Sequence, residues 1–264
     1  MSDSTPGDAA GPARTDERPP AGRSDSRAYL NRMDRPHARA RGQTACPDCP
    51  ATRLSVFEAL VFDGTCRFRC LALPARRAVP GAWFASYGLG LIRRGVLIRQ
   101  RVDRQGRVTA VDAAGPGCMV AFADPGGPGT SASVSTGYAA TDVLVCLCPR
   151  ETLERALEGS DISRDMIAMQ QAALERVERL ADARGRSSAE SRVAAVLCTL
   201  ADTLSPPRQR HRIPADFQQR DIANLAGIRH ETVCRTLGDL ERRGAVKRDT
   251  DGLQITDREQ LETL

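Results

Sequence analysis

The most constraining stretch of the sequence is Gln219–Gly244, QRDIANLAGIRHETVCRTLGDLERRG. Ile222, Ala223 and Leu225 give the apolar side of one short helix. Val233, Leu237 and Leu240, spaced by four and three, give the stripe of a second. Gly227 falls between them, where a sharp turn needs φ > 0 and a side chain would be costly. Ala223 is small, as a close crossing of the two helices requires. After Gly244, the runs Ala245–Arg248 and Leu253–Thr256 flank Asp251-Gly252, a strong hairpin signal. Two helices, a tight turn and a following β-hairpin make a winged helix-turn-helix. In such a unit the N-terminal, outer half of the second helix reaches base edges in the major groove. Here that half carries His230, Glu231, Thr232, Cys234 and Arg235. The plainer reading, a helical hairpin with solvated charges, leaves the hairpin after it unexplained.

A chain of 264 residues allows two domains, each with its own core. The net charge of +5 permits DNA binding without requiring it. Lys247 is the sole lysine, so the positive charge is almost all arginine, which suits phosphate and guanine. Aromatic residues are only 4%, which argues against stacking on single strands. No apolar run approaches the roughly 18–20 residues of a membrane span, and the N-terminus has no apolar signal-peptide core. A cytoplasmic location away from membranes is the expectation. His37, His211 and His230 all lie outside the central β-type region, and no Ser/His/Asp set, phosphate loop or paired acids stand at useful spacing. The chain is therefore expected not to be an enzyme; the rival is a β-roll enzyme with an accessory winged helix.

Residues 1–44 are rich in Gly, Pro, Ser, Asp and Arg and are expected to form a disordered tail. Residues 45–158 read as a cysteine-containing β domain. It opens with Cys46-Pro-Asp-Cys49 and a short helix at Ser55–Leu60. Short β-type runs follow at Ala82–Tyr87, Leu89–Ile92, Val96–Val102, Val108–Val111, Cys118–Phe122, Ala132–Ser135 and Val143–Cys148. A turn at Asp103–Gly106 and a Pro125–Gly129 loop break them, and the spacing suggests a small antiparallel barrel or roll. Pro149–Leu157 begins a helical region. Residues 159–184 form a long helix with the stripe Ile162, Met166, Met169, Ala173, Val177 and Leu180, a coiled-coil-like seam that suits a dimer helix. The alternative is packing against its own domain. Residues 187–264 make the winged unit, opening with a helix at Ser187–Leu204 for which Ser188 is the N-cap; Arg210–Ile213 is a strand placed to join the wing. The fold class is α+β.

This order of parts, with RDIANLAGIRHETVCRTLGDLERRGAV, resembles the CRP/FNR superfamily of bacterial transcription regulators. IRRGVLIRQRVDRQGRV is similar to the family's first roll hairpins. The resemblance covers roughly residues 45–264. It implies an N-terminal antiparallel β-roll of the cyclic-nucleotide-binding type, a dimerisation helix and a C-terminal reading head. The implied function is a homodimeric regulator on a palindromic double-stranded operator, with RNA polymerase as a further partner. His230, Glu231, Cys234 and Arg235 fall at the family's base-reading positions. An arginine there can donate twice to guanine and a glutamate can accept from cytosine. Cys234 stands where FNR-type members carry a serine, and His230 where cyclic-AMP-type members have an arginine. Gln219, Arg220, Arg229 and Thr232 fall at phosphate-gripping positions.

The family's cyclic-nucleotide pocket needs a glutamate and an arginine, yet between Gly115 and Thr141 the only charged residue is Asp124. A buried phosphate without its cation is strongly unfavourable, so no cyclic nucleotide is expected. Nine cysteines are many for a reducing compartment and point to metal or redox chemistry. FNR-type members bind a [4Fe–4S] cluster through N-terminal cysteines and one from the last roll strand. The resemblance implies Cys46, Cys49 and Cys146 as ligands, with Cys66 or Cys70 as the fourth. Cys148 is expected on the strand face opposite Cys146. Such a cluster would make the regulator respond to oxygen or redox state. Two rivals stay open. Cys46, Cys49, Cys66 and Cys70, spaced C-x2-C-x16-C-x3-C, come close to a four-thiolate zinc site, and a thiol–disulfide switch needs no metal. Buried, inert cysteines are the remaining reading, in a DNA-binding protein of the same type that is independent of any ligand.

Overall fold

The computed structural model describes residues 69–122, 134–157, 162–204 and 211–264. The tail, the Ser55–Leu60 helix, the Pro125–Gly129 loop and Cys46, Cys49 and Cys66 lie outside the described residues. The roll comprises β1 (Arg69–Leu73), α1 (Gly81–Ser86), β2 (Tyr87–Arg94), β3 (Leu97–Val102), β4 (Val108–Ala114), β5 (Met119–Ala121), β6 (Val134–Ala139) and β7 (Val143–Pro149). All pairings are antiparallel, in two sheets ordered β1-β7-β2-β5 and β4-β3-β6. The β3–β4 turn closes at Asp103–Gly106 as expected, with the Gly106 N–H on the Asp103 carbonyl and φ +76° at the glycine. Leu97, Val120, Phe122, Val143, Val145 and Leu147 fill the space between the sheets.

Two expectations need correction here, and one strand is additional. Ala82–Tyr87 is not a strand: Gly81–Ser86 is helical, because Trp83 turns inward to meet Phe122 edge-on at 6.1 Å and only Tyr87 begins the strand. β1, unforeseen, pairs along its length with β7. Cys148 does not face away from Cys146, since residues two apart on a strand share a face. Val143, Val145 and Leu147 take the inter-sheet side, which leaves Cys146 and Cys148 together on the other.

Helix α2 (Arg150–Leu157) leads to α3 (Ile162–Gly185), the long helix. Ile167 and Leu174, seven residues apart, stand 57% and 56% exposed. Met166, Met169, Ala173 and Val177 are half-buried beside them, and the side chain of Ile162 lies outside the described residues. Leu180, expected in the dimer seam, is buried in the core of its own chain with Ala183. A strict 3.5-residue repeat drifts around a 3.6-residue helix, so the end of the stripe turns inward. No helix among the described residues is long and apolar enough to cross a membrane.

The C-terminal unit holds α4 (Ala189–Leu204), β8 (Arg212–Pro214), α5 (Gln219–Ala226), α6 (His230–Arg242), β9 (Val246–Asp249), β10 (Gly252–Ile255) and α7 (Arg258–Glu262). Ser188 caps α4 as expected, its Oγ accepting from the Ser191 N–H at 2.9 Å. The wing sheet runs β8-β10-β9, so the strand before the helix-turn-helix does join it. The hairpin turn is Thr250-Asp251, one place earlier than Asp251-Gly252 suggested. Asp249 Oδ1 closes it by accepting from the N–H groups of Asp251 and Gly252. Gly252 then opens β10, opposite both Asp249 and Pro214.

Candidate nucleic-acid interface

Helices α5 and α6 are joined at Gly227, whose φ of +65° is the left-handed value the turn needs. Beneath them Ile222, Leu225, Val233, Leu237 and Leu240 are buried, each worth about 1.5–3 kcal/mol. That apolar side fixes the other face of α6 outward. His230, Glu231 and Arg235 are exposed at its N-terminal half, with Cys234 and Thr232 partly so. The four expected base readers thus share one outward surface. Among the expected phosphate contacts, Arg220 and Arg229 are exposed and Gln219 and Thr232 partly exposed.

Local bonds set some of these side chains. The Cys234 thiol donates to Gln219 Oε1 at 2.9 Å and lies 3.5 Å from His230 Nε2. Arg220 donates to the Gln218 side chain. Between α5, α6 and the wing runs an open groove whose lining includes Gln219, Arg220, His230 and Arg248. Arg248 was not foreseen as a contact. It is ion-paired with Glu241, and that partner pushes its pKa up. Lys247 and Arg248, just past the recognition helix, were the available signal for a basic wing.

Residues 191–264 match the family model for the Crp-like helix-turn-helix domain. The C-terminal unit is a Crp-like DNA-binding domain. Solved structures extend the likeness to the whole fold. FixK2 from Bradyrhizobium japonicum shares 21% identity over 75% of this chain and 96% of its own, with a TM-score of 0.60. A CooA mutant from Carboxydothermus hydrogenoformans shares 16% over 74% and 87%, at 0.54. A CRP-family transcriptional regulator from Thermus thermophilus shares 19% over 73% and 94%, at 0.52. The chain has the CRP/FNR fold. No curated protein matches the sequence.

Ahead of the Crp-like domain, the roll carries a partly open pocket of about 220 Å³ lined by Val79, Phe84, Leu97, Phe122, Gly137 and, from β3, Arg99 and Arg101. Both arginines precede the Gly115–Thr141 segment, where the family's pocket cation is expected. Arg99 is already engaged by Asp112 at 3.3 Å. Asp112, 1% exposed, also binds Arg176 of α3 at 3.1 Å, tying the long helix to the roll. Of the expected thiol ligands, Cys70 and Cys146 are brought together: they are cross-strand partners in β1 and β7, both buried, with Sγ atoms 3.8 Å apart. Arg93 Nη1 donates to Cys70 Sγ at 3.6 Å. Among the described residues, no three His, Cys, Asp or Glu side chains gather as a metal site.

Proposed function

We propose that the chain is a homodimeric, sequence-specific DNA-binding transcription regulator whose roll responds to redox state through its thiols. One observation carries the DNA part: the apolar face of α6 is fully buried, so Glu231 and Arg235 must project into whatever the helix docks on. A duplex suits that face, with Arg235 placed to donate to a guanine and Glu231 to accept from a cytosine. Ile167 and Leu174 support the dimer, since two large apolar side chains a heptad apart on a long helix are best covered by a second copy. Two reading heads would then meet half-sites about one helical turn apart.

The redox part rests on the contact of Cys70 with Cys146. In the cluster form, Cys46, Cys49 and Cys146, with Cys66 or Cys70, would hold a [4Fe–4S] group, which would supply oxidation-sensitive redox chemistry. The 3.8 Å separation favours a second form. Two thiolates on one tetrahedral zinc, with bonds of about 2.3 Å, stand about 3.8 Å apart. A cross-strand pair also lies within the Cα separations that a disulfide spans.

Selection from random duplexes, followed by titration of Arg235→Ala and Arg220→Ala, tests the DNA reading. Arg235→Ala should cost about 1–3 kcal/mol on the selected site and relax one base position. Arg220→Ala should weaken all sequences alike. Identical behaviour of the two on selected and random DNA would refute the recognition assignment. Iron, sulfide and zinc analysis of anaerobically purified protein separates the thiol forms. Cys146→Ala should abolish a cluster or a zinc held by the Cys70–Cys146 pair, zinc that persists would point instead to Cys46, Cys49, Cys66 and Cys70, and metal-free protein with thiols inert to peroxide would remove the redox reading.

A further inference from the structure

Asp221 occupies the third position of α5, and its side chain is wholly buried. One of its oxygens closes the capping box by accepting from the Gln218 N–H at 3.1 Å. Its remaining lone pairs are filled from the roll, not from the DNA-binding domain. Arg76 Nη1 donates to both carboxylate oxygens at 2.8 and 2.7 Å, and its Nη2 to the Asp216 carbonyl at 3.3 Å. Tyr138 Oη donates to Oδ1 at 2.8 Å and accepts from Asn224 Nδ2 at 3.3 Å. Burial raises the Tyr138 pKa, so the hydroxyl keeps its proton. The approach of Arg76 is itself strained: its φ is +68°, a left-handed conformation unusual for arginine. At the other end of α5, Arg184 of α3 donates from Nε to the Leu225 carbonyl at 2.8 Å. An eight-residue helix is thus gripped at both ends by residues from outside its own domain.

We propose that Arg76 and Tyr138 are positioning residues for DNA binding, acting through Asp221 to hold the first helix of the Crp-like domain against the roll. The proposal rests on the DNA-binding reading above. Apolar packing supports the docked arrangement, because Val96, Ile98, Ala110, Ala113 and Ala140 of the roll share one core with α4 and α5. The latch also adjoins the roll pocket. Val79 and Gly137 line that pocket, are joined by a 2.8 Å hydrogen bond, and belong to the same short segments as Arg76 and Tyr138. A change in the pocket wall therefore has a route to α5 within one protomer, without crossing the long helix.

The sign follows from charge. Asp221 is the neighbour of Arg220 and two residues from Gln219, the expected phosphate contacts. With Arg76 in place its carboxylate is neutralised; without it, an uncompensated anion stands beside the DNA backbone. Arg76→Ala should weaken binding to every duplex by roughly five-fold, as one like-charge contact across partly aqueous surroundings implies. Arg76→Lys, which keeps the charge, should recover most of that loss. Hydrogen exchange on the full-length protein without DNA reads the docking itself. Arg76→Ala and Tyr138→Phe should both accelerate exchange in residues 219–226 and in the roll strand they cover, 108–114, while residues 230–242 stay protected. Wild-type exchange in both variants overturns the latch, and should Arg76→Ala fail to fold, unchanged exchange in Tyr138→Phe alone overturns it. Wild-type affinity in a folded Arg76→Ala protein overturns the positioning role. Wild-type protein that binds no duplex at all would instead sink the DNA reading, leaving the exchange result to judge the latch.

Discussion

The wing offers a sharp test of the architecture around the reading head. Gly227, Gly244 and Gly252 all have positive φ, at +65°, +75° and +135°. A Cβ added at Gly244 meets nothing within 4 Å, and at Gly227 it meets only the Arg184 side chain, at 3.7 Å or more. Alanine at either should cost the backbone strain alone, about 1–2 kcal/mol. At Gly252 a Cβ would lie 2.0 Å from the Ile213 carbonyl oxygen and 2.8 Å from the Ala215 nitrogen. Those are backbone atoms of the β8 segment and cannot rotate away. β10 is also held on its other edge by β9, so relief requires breaking the pairing with β8. Two lost ladder bonds at about 1 kcal/mol each, added to the strain, put Gly252→Ala at about 3–4 kcal/mol. Urea unfolding of the full chain, with the three variants in parallel, measures this. Gly252→Ala within 1 kcal/mol of Gly244→Ala would show that β8 does not pack across the start of β10, and the wing register would be wrong.

Glutamate at both Ile167 and Leu174 should convert a dimer into monomers in sedimentation, with palindrome binding falling to that of a single half-site; a persistent dimer would place the interface elsewhere. Arg176→Ala leaves Asp112 buried with only the half-exposed Arg99 as partner, and should cost about 2 kcal/mol, less than the full loss of a buried pair because one cation remains. An unchanged melting temperature would mean that solvent already screens the site. Hydrogen bonds from Arg258, helped by Arg179, hold the Asp202 carboxyl below its ordinary pKa. A depressed carboxylate stabilises the fold above its unfolded pKa of about 4, and that contribution disappears as pH falls through the lower folded value. The stability gap between wild type and Asp202→Asn should therefore shrink below about pH 4; a constant gap down to pH 3 would exclude the linkage.

What could be read in the sequence divides by the range of the interactions that decide it. The helix-turn-helix was legible because its signals are local: an apolar stripe at spacings of four and three, and a glycine where φ must be positive. The wing was legible to within one residue. Its register is set by where Pro214, nearly forty residues upstream, meets Gly252, and by the Asp249 carboxylate that closes the turn. Gly81–Ser86 was misread because six apolar and small residues suit strand and helix alike; Trp83 settles the matter by reaching Phe122. The Cys70–Cys146 pair needed the β1–β7 register, which no local pattern announces. Asp221 is the furthest case. An acid three residues into a helix reads as an ordinary cap, and the capping box is indeed present. That box uses only part of the carboxylate's bonding capacity, and a side chain with no exposure cannot find the rest in water. Full burial of a charged cap therefore demands a partner from elsewhere in the chain, and the guanidinium that answers it comes from a residue 145 positions away.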